Sequence, residues 1–221
     1  MRYSAVIFDL DGTLLDTLAD IANSANAVLQ PYGLAAFPVE YYRQWVGAGL
    51  ERLFNGVLPP PKRSEAVVRQ CIDRFREVYA ENWNVQTRPY EGAAGLLAAL
   101  ASRQVPMAVL SNKPEDSARR CVREYFPDGR FEMVLGNRDD MPPKPDPAGA
   151  LKIIGHIGLP PEQFVYLGDT PIDMQTAVAA GVLPVAAAWG FRSVEELRSH
   201  GAEIVIEHPL ELIDVVLGNR N

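Results

Sequence analysis

Three observations predict an α/β fold: a mostly parallel sheet flanked by helices, with an all-helical insertion after its first strand. From Pro89 onward, short apolar runs alternate with helix-length amphipathic stretches, as βαβ crossovers require. The first apolar run, Ala5-Val6-Ile7-Phe8, ends abruptly in Asp9-Leu10-Asp11-Gly12-Thr13. That is how a strand ends at the carboxyl edge of an α/β sheet, where chemistry sits. Between residues 16 and 85 only helical periodicity is found.

Residues 4–10 read as a buried strand. Leu18, Ile21, Ala22, Ala25, Val28 and Leu29 then recur at helical spacing, and Pro31-Tyr32-Gly33 stops that helix. A second helical stretch, Val39 to Val57, is broken at Gly47-Ala48-Gly49 and ended by Pro59-Pro60-Pro61. Ser64 to Trp83 is the longest periodic helix, with Val67, Val68, Cys71, Phe75, Val78 and Tyr79 along one stripe. The alternating part follows: helix Gly92–Arg103, strand Val105–Leu110, helix Pro114–Tyr125, strand Phe131–Leu135 and helix Pro147–Ile157. Strand Phe164–Leu167, helix Pro171–Ala180 stopped by Gly181, strand Val185–Ala188, helix Val194–Ser199, strand Ile204–Ile206 and a helix from Leu210 complete it. Residues 1–15 with 86–221 are therefore expected to form a Rossmann-like core domain, and residues 16–85 a helical domain.

With 221 residues, 48% hydrophobic and 22% charged, the chain has globular composition. Its net charge of −7 argues against a nucleic-acid surface, so any anion must be met by local cations. Cys71 and Cys121 fit helical core patterns rather than a zinc or disulfide framework, which favours a reducing compartment. No run reaches the ~18 apolar residues of a membrane span, and the N-terminal apolar run is too short for a signal peptide. The expectation is a cytoplasmic protein without nucleic-acid or membrane partners, as a monomer or homodimer.

Four strand ends bear chemical groups. The first has Asp9 and Asp11, the second Ser111-Asn112-Lys113, and the fourth Gly168-Asp169-Thr170 with Asp173 following. The loop after the third has Lys144 in Lys144-Pro145-Asp146-Pro147. In a parallel sheet these ends converge on one crevice. Taken singly, each has a bland reading. Asp-Gly serves a turn, Asp169 is an N-cap before Pro171, and Asp173 is a first-turn acid favoured by the helix dipole. Ser111-Asn112 is a cap, Lys144 a solvated loop charge and Lys113 a structural or rim residue. Together they describe a site that could hold a metal ion and an anion such as phosphate. Asp9 and Asp169, from separate strand ends, suit Mg²⁺, which needs only one or two carboxylates. Ser111, the Asn112 backbone N–H and Lys144 would meet phosphate oxygens. Gly12 and Thr13 would turn the backbone so that its N–H groups face the same anion.

Asp-x-Asp-Gly-Thr, then Ser-Asn, Lys-Pro and Gly-Asp-Thr-x-x-Asp, in this order, resembles the haloacid dehalogenase-like superfamily of phosphotransferases. The helical insertion resembles that superfamily's first type of cap. Trp45-Val46-Gly47-Ala48-Gly49-Leu50 and Trp189-Gly190-Phe191-Arg192-Ser193 resemble its phosphoglycolate phosphatase group. The resemblance implies that Asp9 is a nucleophile forming an aspartyl-phosphate. It implies that Asp11 is the acid/base and lends its backbone carbonyl to the metal, with Asp173 in support. Asp11 would need a raised pKa, supplied if the cap closes over the site. A small phosphorylated metabolite, 2-phosphoglycolate first, is the expected substrate. Specificity is expected from the cap, with Arg43, Gly47, Gly49 and Arg52 as candidates.

The alternatives are other phosphatases (of pyrophosphate, nucleotides or sugar phosphates), a phosphomutase using the same two aspartates, and a non-catalytic phosphate-binding or regulatory module. A carbon–halogen hydrolase would have no use for Asp11. A phosphonate hydrolase would want a cap lysine better placed than Lys62, which follows three prolines.

Overall fold

A computed structural model describes residues 2–218. The chain begins with β1 (Ala5–Phe8) and leaves for the helical insertion through β2 (Leu15–Asp16). The insertion contains α1 (Leu18–Leu29), α2 (Gly49–Val57) and α3 (Glu65–Asn82). The chain returns through β3 (Arg88–Pro89), which pairs with β2. Next come α4 (Ala93–Ser102), β4 (Met107–Pro114), α5 (Glu115–Tyr125), β5 (Phe131–Asn137) and α6 (Ala148–Ile157). The last elements are β6 (Phe164–Gly168), α7 (Pro171–Ala180), β7 (Leu183–Ala187), α8 (Val194–Ser199), β8 (Ile204–Ile206) and α9 (Glu211–Leu217). Asp16–Arg88 is one compact unit, and the described residues on either side of it make up the other.

The larger unit is an α/β fold built on a six-stranded sheet in the order β5-β4-β1-β6-β7-β8. All its ladders are parallel. β1 is central because all four of its residues are apolar and fully buried. Strands covered on both faces read as continuous hydrophobic runs. Ala5 and Ile7 join Ala108, Leu110, Phe164 and Tyr166 against Ile153 and Ile154 of α6 and Ala177 of α7. Burying each side chain of Ile or Phe size contributes roughly 1.5–3 kcal/mol. Successive strands from β1 lie first on one side (β4, β5) and then on the other (β6, β7, β8). The strand order therefore reverses beside β1, and a crevice opens at the carboxyl ends of β4, β1 and β6.

Several boundaries differ from the sequence expectation. β2 and β3 are two residues each, too short for periodicity to reveal. β4 runs on to Pro114, so Ser111, Asn112 and Lys113 are strand residues rather than loop residues. They continue because β5 is longer as well and lies alongside, with Asn137 opposite Pro114. Residues Val39–Gln44 form a 3-10 helix rather than the start of an α-helix. At the start of α7 the N-cap is Thr170, not Asp169, and Asp173 closes a capping box with it.

In the helical unit, α3 packs against α1 and α2. Phe54 of α2 meets Phe75 edge-on at 5.8 Å, and Phe75 stacks on Tyr79 at 5.2 Å. The Asn26 side chain pins the 3-10 segment. Its amide donates to the Phe37 carbonyl, and its oxygen accepts from the Phe37 N–H and the Tyr42 hydroxyl. Buried Asp20 accepts from the Gln86 and Thr87 N–H groups and from the Thr87 hydroxyl, fixing the far end of the insertion onto α1.

Candidate active site

Asp9 follows the central strand, and its neighbours in the sheet supply the residues beside it. β4 contributes Ser111 to Lys113, the end of β6 leads into Asp169, and α7 contributes Asp173. Among the described residues, Asp9, Asp169 and Asp173 form one buried group whose ligand atoms all lie within 4.8 Å of one another. The lysine Nζ of Lys144 sits against two of them, 2.8 Å from Asp9 Oδ1 and 2.6 Å from Asp173 Oδ1. It arrives on the loop between β5 and α6, and the Asn112 side chain holds that loop. Asn112 donates to the Lys144 carbonyl (3.0 Å) and accepts from the Lys144 N–H (2.9 Å). Asn112 was expected to act through its backbone N–H. Its side chain has a task that the sequence did not disclose.

Each remaining predicted residue has a definite position. Thr13 is fully buried and donates its hydroxyl to Asp169 Oδ1 at 2.7 Å. Gly12 adopts φ +93°, and a Cβ there would lie 2.3 Å from Asp169 Oδ2, so only glycine fits this close approach. Ser111 is buried, and its hydroxyl accepts from the Lys113 N–H at 3.2 Å. Asp173 Oδ2 accepts from the Thr170 N–H and hydroxyl, and its Oδ1 accepts from the Tyr166 hydroxyl as well as from Lys144. The Asp11 carboxylate stands apart from the three-carboxylate group. Both its oxygens accept from Lys113 Nζ, at 3.0 and 3.2 Å. Lys113 is therefore no rim residue: it is buried and paired with the second aspartate of the first motif. Arg43, Gly47, Gly49 and Arg52 belong to the helical unit. Arg43 pairs there with Glu40, Arg52 is exposed, and Gly47 and Gly49 both adopt positive φ.

The charges explain the electrostatics. Three buried carboxylates share one ammonium. Burial, reinforced by the Asp173 carboxylate, pushes Asp9 well above the usual carboxylate range. The same two causes raise Asp169 to about 7, against hydrogen bonds from Phe191 and Thr13 that lower it. Burial alone would depress Lys144, but Asp173 and Asp9 hold it well above the ordinary lysine value. The ammonium thus stays charged and the carboxylates are left in excess. A buried, oxygen-only, acid-rich cluster of this kind fits a hard divalent cation.

An α/β sheet with acidic groups, a buried lysine and a serine gathered at its carboxyl edge has the parts that a hydrolase of the phosphoryl-transfer class uses. The chain belongs to the haloacid dehalogenase-like hydrolase family, whose model matches residues 6–187. It is a phosphatase of the phosphoglycolate phosphatase-like kind. It is 31% identical over 211 residues to a phosphoglycolate phosphatase of Aquifex aeolicus, covering 96% of this chain and 95% of that one. It is equally 31% identical, over 221 residues, to an N-acetylmuramic acid 6-phosphate phosphatase of Pseudomonas aeruginosa, covering 98% and 96%. The crystal structure of a candidate phosphoglycolate phosphatase from Lactobacillus delbrueckii subsp. bulgaricus superimposes with a TM-score of 0.91 at 31% identity, covering 99% and 100%. The non-catalytic alternative is set aside by these relatives. Among the described residues, no helix is long and apolar enough to cross a membrane.

Proposed function

We propose that this phosphatase is Mg²⁺-dependent and hydrolyses a small phosphomonoester, 2-phosphoglycolate first, through an aspartyl-phosphate on Asp9. The observation that carries the reading is the convergence of Asp9, Asp169 and Asp173 around the Lys144 ammonium. Asp9 and Asp169, with the Asp11 carbonyl, would hold the metal, and Asp173 would support it. Bound Mg²⁺ would supply the positive charge that lets a carboxylate approach a phosphate dianion.

The residues then divide the work. An Asp9 carboxylate oxygen attacks phosphorus, and the bond from phosphorus to the ester oxygen breaks. Asp11 gives its proton to that departing oxygen. Water then attacks phosphorus while Asp11 takes a proton from it. The bond to Asp9 breaks, freeing inorganic phosphate and leaving Asp9 as a carboxylate and Asp11 protonated, as at the start. Lys144, Ser111 and the Asn112 N–H would balance and position the phosphate oxygens. Thr13 is not a phosphate donor in this arrangement: its hydroxyl is engaged with Asp169, and the Gly12 and Thr13 N–H groups, expected to face the anion, donate instead to the Leu15 and Leu10 carbonyls at 2.8 and 3.3 Å, closing the turn after β1. Lys113 aims the Asp11 carboxylate. Lys113→Met is expected to lower kcat by about tenfold or more, with KM little changed, because a misplaced acid/base loses part of its ~10²–10⁴-fold contribution. Steady-state kinetics on one substrate reads this directly.

The excess of buried carboxylate has a consequence for stability. Asp9 and Asp169 hold protons more tightly folded than unfolded. Their contribution to folding is therefore fully present below about pH 4 and is lost as pH rises through the folded value, about 7 for Asp169. A dication held by these carboxylates would offset the missing protons. The rise in Tm on adding Mg²⁺ should accordingly be larger at about pH 8 than at about pH 5.5, as thermal denaturation at both would show.

One phosphate-release screen, with and without Mg²⁺, tests the substrate. It includes 2-phosphoglycolate, N-acetylmuramic acid 6-phosphate, pyrophosphate, a nucleotide and a hexose phosphate. The highest kcat/KM on 2-phosphoglycolate supports the first choice. A second reading, a sugar-phosphate phosphatase, is favoured by the Pseudomonas aeruginosa relative, and a preference for N-acetylmuramic acid 6-phosphate would establish it. Full activity in a metal chelator would overturn the Mg²⁺ assignment.

A further inference from the structure

The turn after β7, outside all four acidic or basic motifs, is tied to Asp169 in a closed ring of contacts. The Phe191 backbone N–H donates to Asp169 Oδ2 at 2.8 Å. Gly190 lies so close that a Cβ there would fall 2.1 Å from the Asp169 Cβ. The indole N–H of Trp189 donates to the Thr13 carbonyl at 3.0 Å. Thr13 in turn donates its hydroxyl to Asp169 Oδ1 at 2.7 Å, which closes the ring. β7 neighbours β6 in the sheet, which is why a turn about twenty residues downstream can reach this carboxylate.

Each Asp169 oxygen receives one donor from a different loop, so the carboxylate cannot rotate without breaking a bond. A carboxylate oxygen has two acceptor positions, so each keeps one for a cation. The ring therefore orients Asp169 without consuming its capacity to bind a metal. We propose that the Trp189-Gly190-Phe191 turn is a positioning element of the divalent-cation site, acting through Thr13 and Asp169. This rests on the metal reading of the three-carboxylate cluster. Partners of this kind that orient a ligand typically change metal affinity by about 10–100-fold when removed.

Calorimetric titration of the substrate-free protein with Mg²⁺ tests the assignment without using turnover. Trp189→Phe keeps an aromatic ring and deletes the N–H. It should raise the Kd for Mg²⁺ about tenfold while the Tm of the metal-free protein moves little. Gly190→Ala, which forces a methyl against Asp169, should weaken binding further. Thr13→Val should lose affinity, and Thr13→Ser, which keeps the hydroxyl, should restore it. These two keep the test decisive if Gly190→Ala does not fold. Wild-type Kd in folded Trp189→Phe would overturn the role of the turn while leaving the metal site standing. No Mg²⁺ uptake by the wild-type protein would overturn the metal reading itself.

Discussion

Asp9→Asn is expected to fold normally and to release phosphate at least about 10⁴-fold more slowly than the wild-type enzyme. The loss follows from removing the nucleophile, a change that leaves only binding and electrostatic assistance. Retained folding follows from the local charge. Burial and the Asp173 carboxylate already push Asp9 toward its neutral form, which asparagine mimics in shape. Substitution should thus relieve repulsion in the metal-free cluster rather than open a hole in it. Circular dichroism and Tm should match or exceed wild type, and phosphate release should fall to background. A stable variant with substantial turnover would remove Asp9 from the role of nucleophile.

Lys144→Met is expected to damage both stability and activity. The ammonium lies 2.8 Å from Asp9 and 2.6 Å from Asp173, all three groups being buried. Removing one partner from such a set leaves charge without compensation, which typically costs about 3–5 kcal/mol. Urea denaturation of the metal-free variant should show an unfolding free energy lowered by that amount, and added Mg²⁺ should recover part of it. Activity should not recover with the metal, because Lys144 also faces the phosphate in the proposed mechanism. Wild-type stability in Lys144→Met would mean that the carboxylates are held by something other than this ammonium.

The outline of the larger unit was legible because its signals are local. β1 is a continuous apolar run that ends in acid, and α7 opens on proline and closes on glycine. The convergence of Asp9, Asp169 and Lys144 followed from the rule that parallel strands align their carboxyl ends. Side-chain partnerships across long separations were not legible. Nothing in the pattern around Lys113 points to Asp11, about a hundred residues away. Nothing around Asn112 points to the backbone of Lys144. The Trp189 turn carries no local signal in the sequence beyond a likeness to a family, although its indole and backbone both reach the Asp169 neighbourhood. Boundaries failed where tertiary pairing overrides local pattern. The extension of β4 through Ser111–Lys113 depends on a longer β5 beside it, and the β2–β3 pair is too short to carry a period.

The aspartyl-phosphate can be tested directly in Asp11→Asn, where the second step lacks its base. The substrate is p-nitrophenyl phosphate, whose leaving group needs no proton, and the reaction is run with Mg²⁺ and quenched in acid. Peptide fragmentation should find a phosphate's added mass on Asp9, absent without Mg²⁺ and absent from the Asp9→Asn, Asp11→Asn double variant. Steady p-nitrophenol release with no phosphate on Asp9, or with phosphate on another residue, would contradict covalent catalysis by this carboxylate.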